Sequence, residues 1–291
     1  MSSPLPITRR AQPWLGTLVE ISIADADSAD APTTDHAAAF AAAFGAIAAV
    51  QRLMSFHDAA SDVSRFNRAP VGAVLEVDRQ TLQVLQCALQ IHAASGGLFD
   101  IGCGATLAAW DYLPAPDGLD VPTLASWPRP PLLRIEDARR ITKTAAAWID
   151  LGGIAKGYAV DQAIAALQEA GIGLACVNAG GDLRVYGEYG FPVAIRDPRQ
   201  PGRAARQTRL SNQAMASSGS YFSQKAFAER EVSALIDGRD GRPLTGPIDP
   251  LSATVCAPSC MLADALTKVV LASADPQHPA LRQFGASAFI I

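Results

Sequence analysis

Apolar and polar positions along this chain sort into short β-branched runs and longer stretches with helical spacing. WLGTLVEISIA (14–24) predicts an early strand, and the Ala- and Phe-rich stretch 35–53 predicts a helix with Asp35 as its N-cap. MSFHDAASDVSRFN (54–67) is polar and turn-prone and reads as a connection. Residues 79–95 place apolar side chains at 82, 85, 89 and 92/93, which predicts a second helix ending at Gly96-Gly97. The stretch from Pro114 to Pro131, rich in Pro and Asp, predicts a surface excursion. LLRIE (132–136) and AAAWIDL (145–151) read as short strands. A helix follows from about 155 to 170, with Val160, Ile164 and Leu167 on one face and Gly171 as its stop. ACVNAGG (175–181) and LRVYG (183–187) predict strands, and DPRQPGRAA (197–205) a loop. The C-terminal part reads as strand SATVCAP, helix LADALTKVVLAS and strand ASAFII.

Strands and helices alternate, yet several strands follow one another directly. That pattern favours a mixed α+β class of α/β protein, with mixed sheets flanked by helices, over a purely doubly wound sheet. No repeat and no linker divides the chain, so residues 1–291 read as one compact unit with room for two lobes. The most apolar stretch, Ala37 to Val50, falls short of the roughly 18–20 residues a membrane span needs and suits a core helix. With 49% hydrophobic residues, disorder is excluded as the dominant state. A net charge of −4 argues against a nucleic-acid-coating surface. MSSPLPITRRAQPW lacks the apolar stretch of an export signal, which makes the cytoplasm the expected compartment, or the periplasm where such a signal has been removed. The five cysteines read as buried thiols rather than a disulfide framework.

Common hydrolytic signatures are missing: there is no HExxH, no G-x-S-x-G elbow and no P-loop, and Leu107 breaks the dinucleotide pattern begun by Gly102 and Gly104. Three other segments hold the candidate chemistry. In WIDLGGIAKGYAVD (148–161) two glycines turn a predicted strand into a helix whose first turn carries Lys156. This is either a tight turn with a solvated lysine or an anion-binding turn. Asn178-Ala-Gly-Gly-Asp182 is a second such bend, with Asp182 as a local cap or as part of a site. Ser217 to Tyr221 offers hydroxyls beside Gly219 and by itself reads as a polar loop. On the late helix, Asp264, Thr267 and Lys268 share one face, as a helix salt bridge or as oxygen ligands for a hard cation.

Taken in order, LGT (15–17), MSFHDAASDVSRFN, GGLFDIGCGATLAAW (96–110), IDLGGIAKGYAVD, VNAGGDLRVYG, ASSGSY (216–221), SALIDGRDGRPL (233–244) and LADALTKVVL resemble the FAD:protein FMN transferases of the ApbE type. The resemblance implies an ApbE-like fold and cleavage of FAD at its pyrophosphate. FMN then joins a Thr or Ser hydroxyl of an acceptor flavoprotein, AMP leaves, and Mg²⁺ assists. It further implies FAD contacts at Leu15, His57, Leu98, Phe99, Asp100, Asp150, Lys156 and Ile236, and Mg²⁺ ligands at Gly153 (carbonyl), Asp264 and Thr267. Asp182, His57 and Asp264 are candidate general bases by residue type.

The chain departs from the family pattern where SHIIDPxTGxP becomes SALIDGRDGRP: Ala234 replaces a histidine and Gly238 a proline. In ADAxAT the final threonine becomes Lys268, with Thr267 one residue earlier. Lys268 either supplies charge that a metal would otherwise bring or pairs with Asp264 and blocks the metal. The departures leave two further readings open, an FAD pyrophosphatase and a non-catalytic FAD-binding protein.

Overall fold

A computed structural model describes residues 6–24, 35–116, 119–122, 130–200, 202–245 and 252–291. The chain opens with a hairpin of β1 (Ile7–Trp14) and β2 (Thr17–Ala24), closed by Leu15 and Gly16 at φ of 55° and 71°. Two positive φ values make the tight turn whose twist suits a hairpin. Strand β1 was hidden from pattern reading because it is exposed along nearly its whole length and shows no alternation. Pro13 is tolerated there because β1 lies at the sheet edge.

Asp35 caps α1 (His36–Met54), accepting from the N–H groups of Ala37 at 2.9 Å and Ala38 at 3.1 Å. By length and composition α1 is apolar enough to cross a membrane, but its buried face, with Phe40, Ile47 and Val50, forms part of the core. The expected connection 54–67 instead contains a helix, α2 (Asp62–Arg68), capped by Ser61 and too short for its period to show. Asp62 accepts from Thr81 Oγ1 at 2.7 Å and from the Asp78 N–H at 2.9 Å, tying α2 to the start of α3 (Arg79–Ala94). Strand β3 (Val74–Glu76) precedes α3, and α4 (Gly104–Ala109) follows it. The excursion 114–131 lies partly outside the described residues; those described carry no helix or strand. Strands β4 (Leu133–Ile135) and β5 (Arg140–Lys143) join β3 in a small antiparallel sheet.

AAAWIDL is not a strand. Its backbone is held by other groups: Asn67 donates from Nδ2 to Ile149 O at 2.9 Å and accepts the Ile149 N–H at 2.8 Å. Asp150 N donates to Ile101 O at 2.8 Å, and Gly104 N to Trp148 O at 3.1 Å. A side-chain amide thus mimics a neighbouring strand, something hydropathy cannot announce.

Next come α5 (Ala155–Glu169), β6 (Leu174–Ala179) and β7 (Asp182–Tyr186), then the hairpin β8 (Phe191–Arg196) and β9 (Ala204–Leu210). The expected polar loop at 217–221 is mostly strand β10 (Ala214–Gly219), leading into a single tight turn. A small hairpin, β11 (Lys225–Phe227) and β12 (Arg230–Val232), precedes β13 (Ser252–Ala257), α6 (Cys260–Ser273), α7 (Pro279–Gln283) and β14 (Ser287–Ile290).

The main sheet runs β1-β2-β6-β7-β10-β13-β14. The mixed α+β class holds, but every neighbouring pair in this sheet is antiparallel, so the parallel component of a mixed sheet is missing among the described strands. One sheet face packs on α5 and α6, with α1 against α5. On the other side Leu183, Val185 and Met215 form a second apolar cluster with Phe191, Ile195 and Leu210 of the β8–β9 hairpin. All five cysteines are free thiols.

A lysine is buried at the small sheet: Lys143 Nζ donates to Phe66 O and Asn67 O, both at 3.1 Å, capping the last carbonyls of α2. Burial pushes its ammonium down to about 8 from the ordinary 10.5. Between those values the unfolded chain binds more protons than the folded one, so stability rises with pH there; the cost of the buried charge is full below pH 8. Denaturant titration of wild type and Lys143→Met from pH 7 to 10.5 should show wild type gaining on the order of 2 kcal/mol relative to the variant, allowing for partial solvent screening. A pH-independent difference would contradict the depressed ammonium.

Candidate active site

Two helices approach closely enough for backbone to touch backbone. A Cβ added at Gly157 of α5 would lie 2.2 Å from Cys260 O and 2.8 Å from Asp264 Cβ, both in α6. Glycine is therefore required at this crossing. One turn on, Asp161 of α5 accepts from the N–H groups of Cys260 and Met261, each at 2.9 Å, and pairs with Arg184 at 2.6 Å. Its carboxylate sits at the positive end of α6 and satisfies two of the amides a helix start leaves unpaired.

The crossing delivers Asp264, fully buried, to the first turn of α5. Its Oδ2 accepts from Gly157 N at 3.1 Å and pairs with Lys156 Nζ at 3.3 Å. Its Oδ1 pairs with Lys268 Nζ, which also donates to Asp264 O at 2.9 Å. Lys156 Nζ lies 2.9 Å from Asp182 Oδ2 as well. Burial pushes the Asp264 carboxyl up, but Lys156, Lys268 and the Gly157 N–H outweigh it and hold it below the usual carboxylate range. Burial disfavours the Lys156 ammonium, yet Asp182 and Asp264 raise it above its ordinary value. Asp182 itself is raised, first by burial and then by the charge of Asp264. Lys156, an unfavourable residue at a helix N-terminus, is thus compensated by two carboxylates.

Over this floor opens a cavity of ≈ 410 Å³. Its lining combines polar Ser217, Ser218 and Asp182 with apolar Leu98 and Phe99 and the ring of Tyr112. The bend Gly180-Gly181, at φ of 64° and 107°, turns β6 into β7 and aims Asp182 at Lys156 rather than at a local cap. Of the residues expected to meet the flavin nucleotide, Leu98, Phe99, Asp100, Asp150, Lys156 and Ile236 line this cavity, as does Gly153. Asp100 accepts from Gly102 N at 2.8 Å, and burial raises Asp150 despite Lys156 and His57 nearby. Asp264 and Thr267 lie wholly buried beneath the floor. Leu15 and His57 are not in the lining: Leu15 donates its N–H to Gln51 Oε1 at 2.7 Å in the β1–β2 turn, and His57 is exposed beside Phe56. Thr17 of the same turn abuts Gly180, where a Cβ would meet Thr17 Oγ1 at 2.6 Å.

The residues present do not fit the Mg²⁺ that the resemblance implies. A Mg²⁺ ion needs near-octahedral oxygen ligation. Both carboxylate oxygens of Asp264 are taken by ammonium groups, and its main-chain O accepts from Lys268 and from Thr267 Oγ1 at 2.7 Å. Thr267 Oγ1 also bonds Ser218 Oγ at 2.7 Å. At Gly153 an added Cβ would lie 3.5 Å from Lys268 Cε, so the lysine stem runs beside the third expected ligand. Among the described residues no three Asp, Glu, His or Cys side chains are grouped to hold a metal.

One departure, Gly238, has a structural explanation, while nothing in the structure explains Ala234. Gly238 donates its N–H to Leu98 O at 3.0 Å, and a Cβ there would fall 2.2 Å from Gly97 O, so proline fits neither the bond nor the space. Ala234 lines the cavity with a methyl group. Tyr112 escaped the sequence reading: its hydroxyl donates to Ser223 O and lies 3.0 Å from Val232 O, which fastens the β11–β12 region over the cavity. Its position just past α4, in a segment without periodicity, left no signal.

The structure is thus that of an α+β protein with a cavity at a helix start, lined by charged, hydroxyl and apolar side chains. The ApbE family profile matches residues 15–289, and the chain belongs to that family. It is 31% identical over 230 residues to the FAD:protein FMN transferase of Rhodobacter capsulatus, covering 75% of this chain and 43% of that protein. With the FAD:protein FMN transferase of Vibrio cholerae it shares 29% identity over 241 residues, 79% of this chain and 72% of that one. The chain thus spans less than half the length of the first relative and nearly three quarters of the second. The crystal structure of the ApbE protein from Thermotoga maritima superposes with a TM-score of 0.83 at 25% identity, covering 98% and 94% of the two chains. The flavinyl transferase ApbE of Pseudomonas stutzeri has the same fold, with a TM-score of 0.80 at 24% identity and coverage of 98% and 91%.

Replacing Gly157 by Ala should separate α5 from α6 and destabilise the protein by about 3 kcal/mol, at the upper end for overpacking. Thermal unfolding checks this; wild-type stability in Gly157→Ala would refute the close crossing.

Proposed function

We propose that this protein transfers FMN from FAD to a Thr or Ser hydroxyl of a partner flavoprotein, releasing AMP. The observation that carries this reading is that Lys156, Lys268 and Asp182, tied together through buried Asp264, line the same cavity as Leu98, Phe99 and Tyr112. A flavin nucleotide has those two characters, a flat apolar ring and a diphosphate. The names of the Rhodobacter and Vibrio relatives support the same assignment.

In this reading the diphosphate lies over the Gly152-Gly153 bend, and the ring system packs toward Phe99 and Leu98. The acceptor hydroxyl attacks the phosphorus on the FMN side. A new P–O bond forms to the acceptor, the P–O bond to the bridging oxygen breaks, and the electron pair leaves on AMP. One proton is released, and Asp182 takes it: it lines the cavity and burial makes it more basic than an ordinary carboxylate. Asp264, wholly buried and held by two ammonium groups, serves to position them, and exposed His57 lies outside the lining. The protein contributes positioning and charge, which is what phosphoryl transfer chiefly requires.

Incubating the protein with FAD and an extract of its native host as acceptor source should add an FMN-sized mass to a Thr or Ser of one protein, with an equivalent of AMP. Asp182→Asn should reduce that rate by about 100-fold or more while sparing FAD binding. FMN and AMP formed equally without acceptor would indicate a pyrophosphatase, and FAD recovered intact would indicate a binding protein.

A further inference from the structure

We propose that Lys268 is a built-in cation for this site: its ammonium, anchored on Asp264, contacts the phosphoryl oxygens itself, and binding and transfer need no divalent metal. The inference rests on the flavin-transfer reading above and concerns what neutralises the diphosphate.

Counting donors separates the two lysines. An ammonium has three N–H groups. Those of Lys156 meet three acceptors: Gly152 O at 3.4 Å, Asp182 Oδ2 at 2.9 Å and Asp264 Oδ2 at 3.3 Å. Lys156 is therefore a positioning residue, saturated by the protein. Lys268 meets two acceptors, both on Asp264, and lines the cavity, which leaves its third N–H for a ligand. Its ammonium is held by those two bonds to Asp264, and its stem passes Gly153, where Lys268 Cε would lie 3.5 Å from an added Cβ. The charge is thus fixed beside the bend rather than carried on a loose side chain.

The same contacts exclude the ion. A divalent cation entering at Asp264 must displace Lys268 from Oδ1 and sit against Lys156 at Oδ2. Like charges at such distances repel strongly in a buried site. Meanwhile the two lysines and the two carboxylates Asp182 and Asp264 cancel, so the diphosphate's own charge is met locally by the free N–H of Lys268 and the polar lining. When the bridging P–O bond breaks, negative charge grows on the AMP oxygen, and a preoriented donor there stabilises the departing group.

The test compares wild type, Lys268→Thr and Lys268→Arg in excess EDTA and with added Mg²⁺. It measures FAD binding by flavin fluorescence, Mn²⁺ binding by electron paramagnetic resonance, and AMP release from FAD with host extract. Wild type is expected to bind FAD and release AMP equally in both media and to bind no Mn²⁺ at the site. Lys268→Thr should lose at least about 100-fold in AMP release in EDTA, typical for removing one transition-state donor. It should gain a Mn²⁺ site and recover with Mg²⁺, while Lys268→Arg stays metal-independent. If wild type binds FAD but needs Mg²⁺ for binding or turnover, or binds Mn²⁺ as tightly as Lys268→Thr, this proposal fails and the flavin reading stands. Should wild type bind no FAD in either medium, the flavin reading fails first. The wild-type arms decide the matter even where a variant does not fold.

Discussion

A single buried carboxylate organises this molecule. Asp264 carries no exposed surface, and an isolated charge there would cost several kcal/mol. It is kept ionised by two ammonium groups and a backbone N–H, all delivered by the close crossing of α5 and α6. Remove either ammonium and Asp264 is left with a buried carboxylate oxygen that has lost a charged partner. The arrangement makes the α5–α6 junction both a glycine-dependent close crossing in the core and the floor of the cavity. Fold and site share one constraint.

The rest of the architecture serves that junction. Asp161 pins the start of α6 to α5, and Arg184 from β7 steadies Asp161. The antiparallel sheet places the Gly180-Gly181 bend and the end of β10 beside one another, so Asp182 and Ser218 reach the floor from two strands. Asn67, far away in sequence, holds Ile149 in line and with it Asp150 at the mouth of the Gly152-Gly153 bend. A cavity drawn from so many elements is held by packing and hydrogen bonds rather than by covalent links, for all five thiols are free.

Elements with a strong period were legible from residue order: α1, α3, α5 and α6, and the strands β2, β6, β7, β13 and β14. Those that announce themselves only through partners were not. Strand β1 is exposed, α2 and α4 span fewer than two full turns, and 145–151 is held by hydrogen bonds to other segments without being a strand. At the site, the paired glycines and the Asp264–Thr267–Lys268 face were visible as motifs. What no motif conveys is who pairs with whom: the same three residues read equally as oxygen ligands or as a salt bridge. The structure sets Lys268 on Asp264, and the departure from the family pattern becomes the most informative residue in the chain.

The most direct measurement is a crystal structure of the wild-type protein with FAD, grown in the presence of Mg²⁺. The diphosphate should lie over the Gly152-Gly153 bend, with a phosphoryl oxygen within about 3 Å of Lys268 Nζ and that ammonium still on Asp264. An ordered divalent ion on the Asp264 carboxylate with Lys268 turned away, or FAD seated outside this cavity, would contradict it.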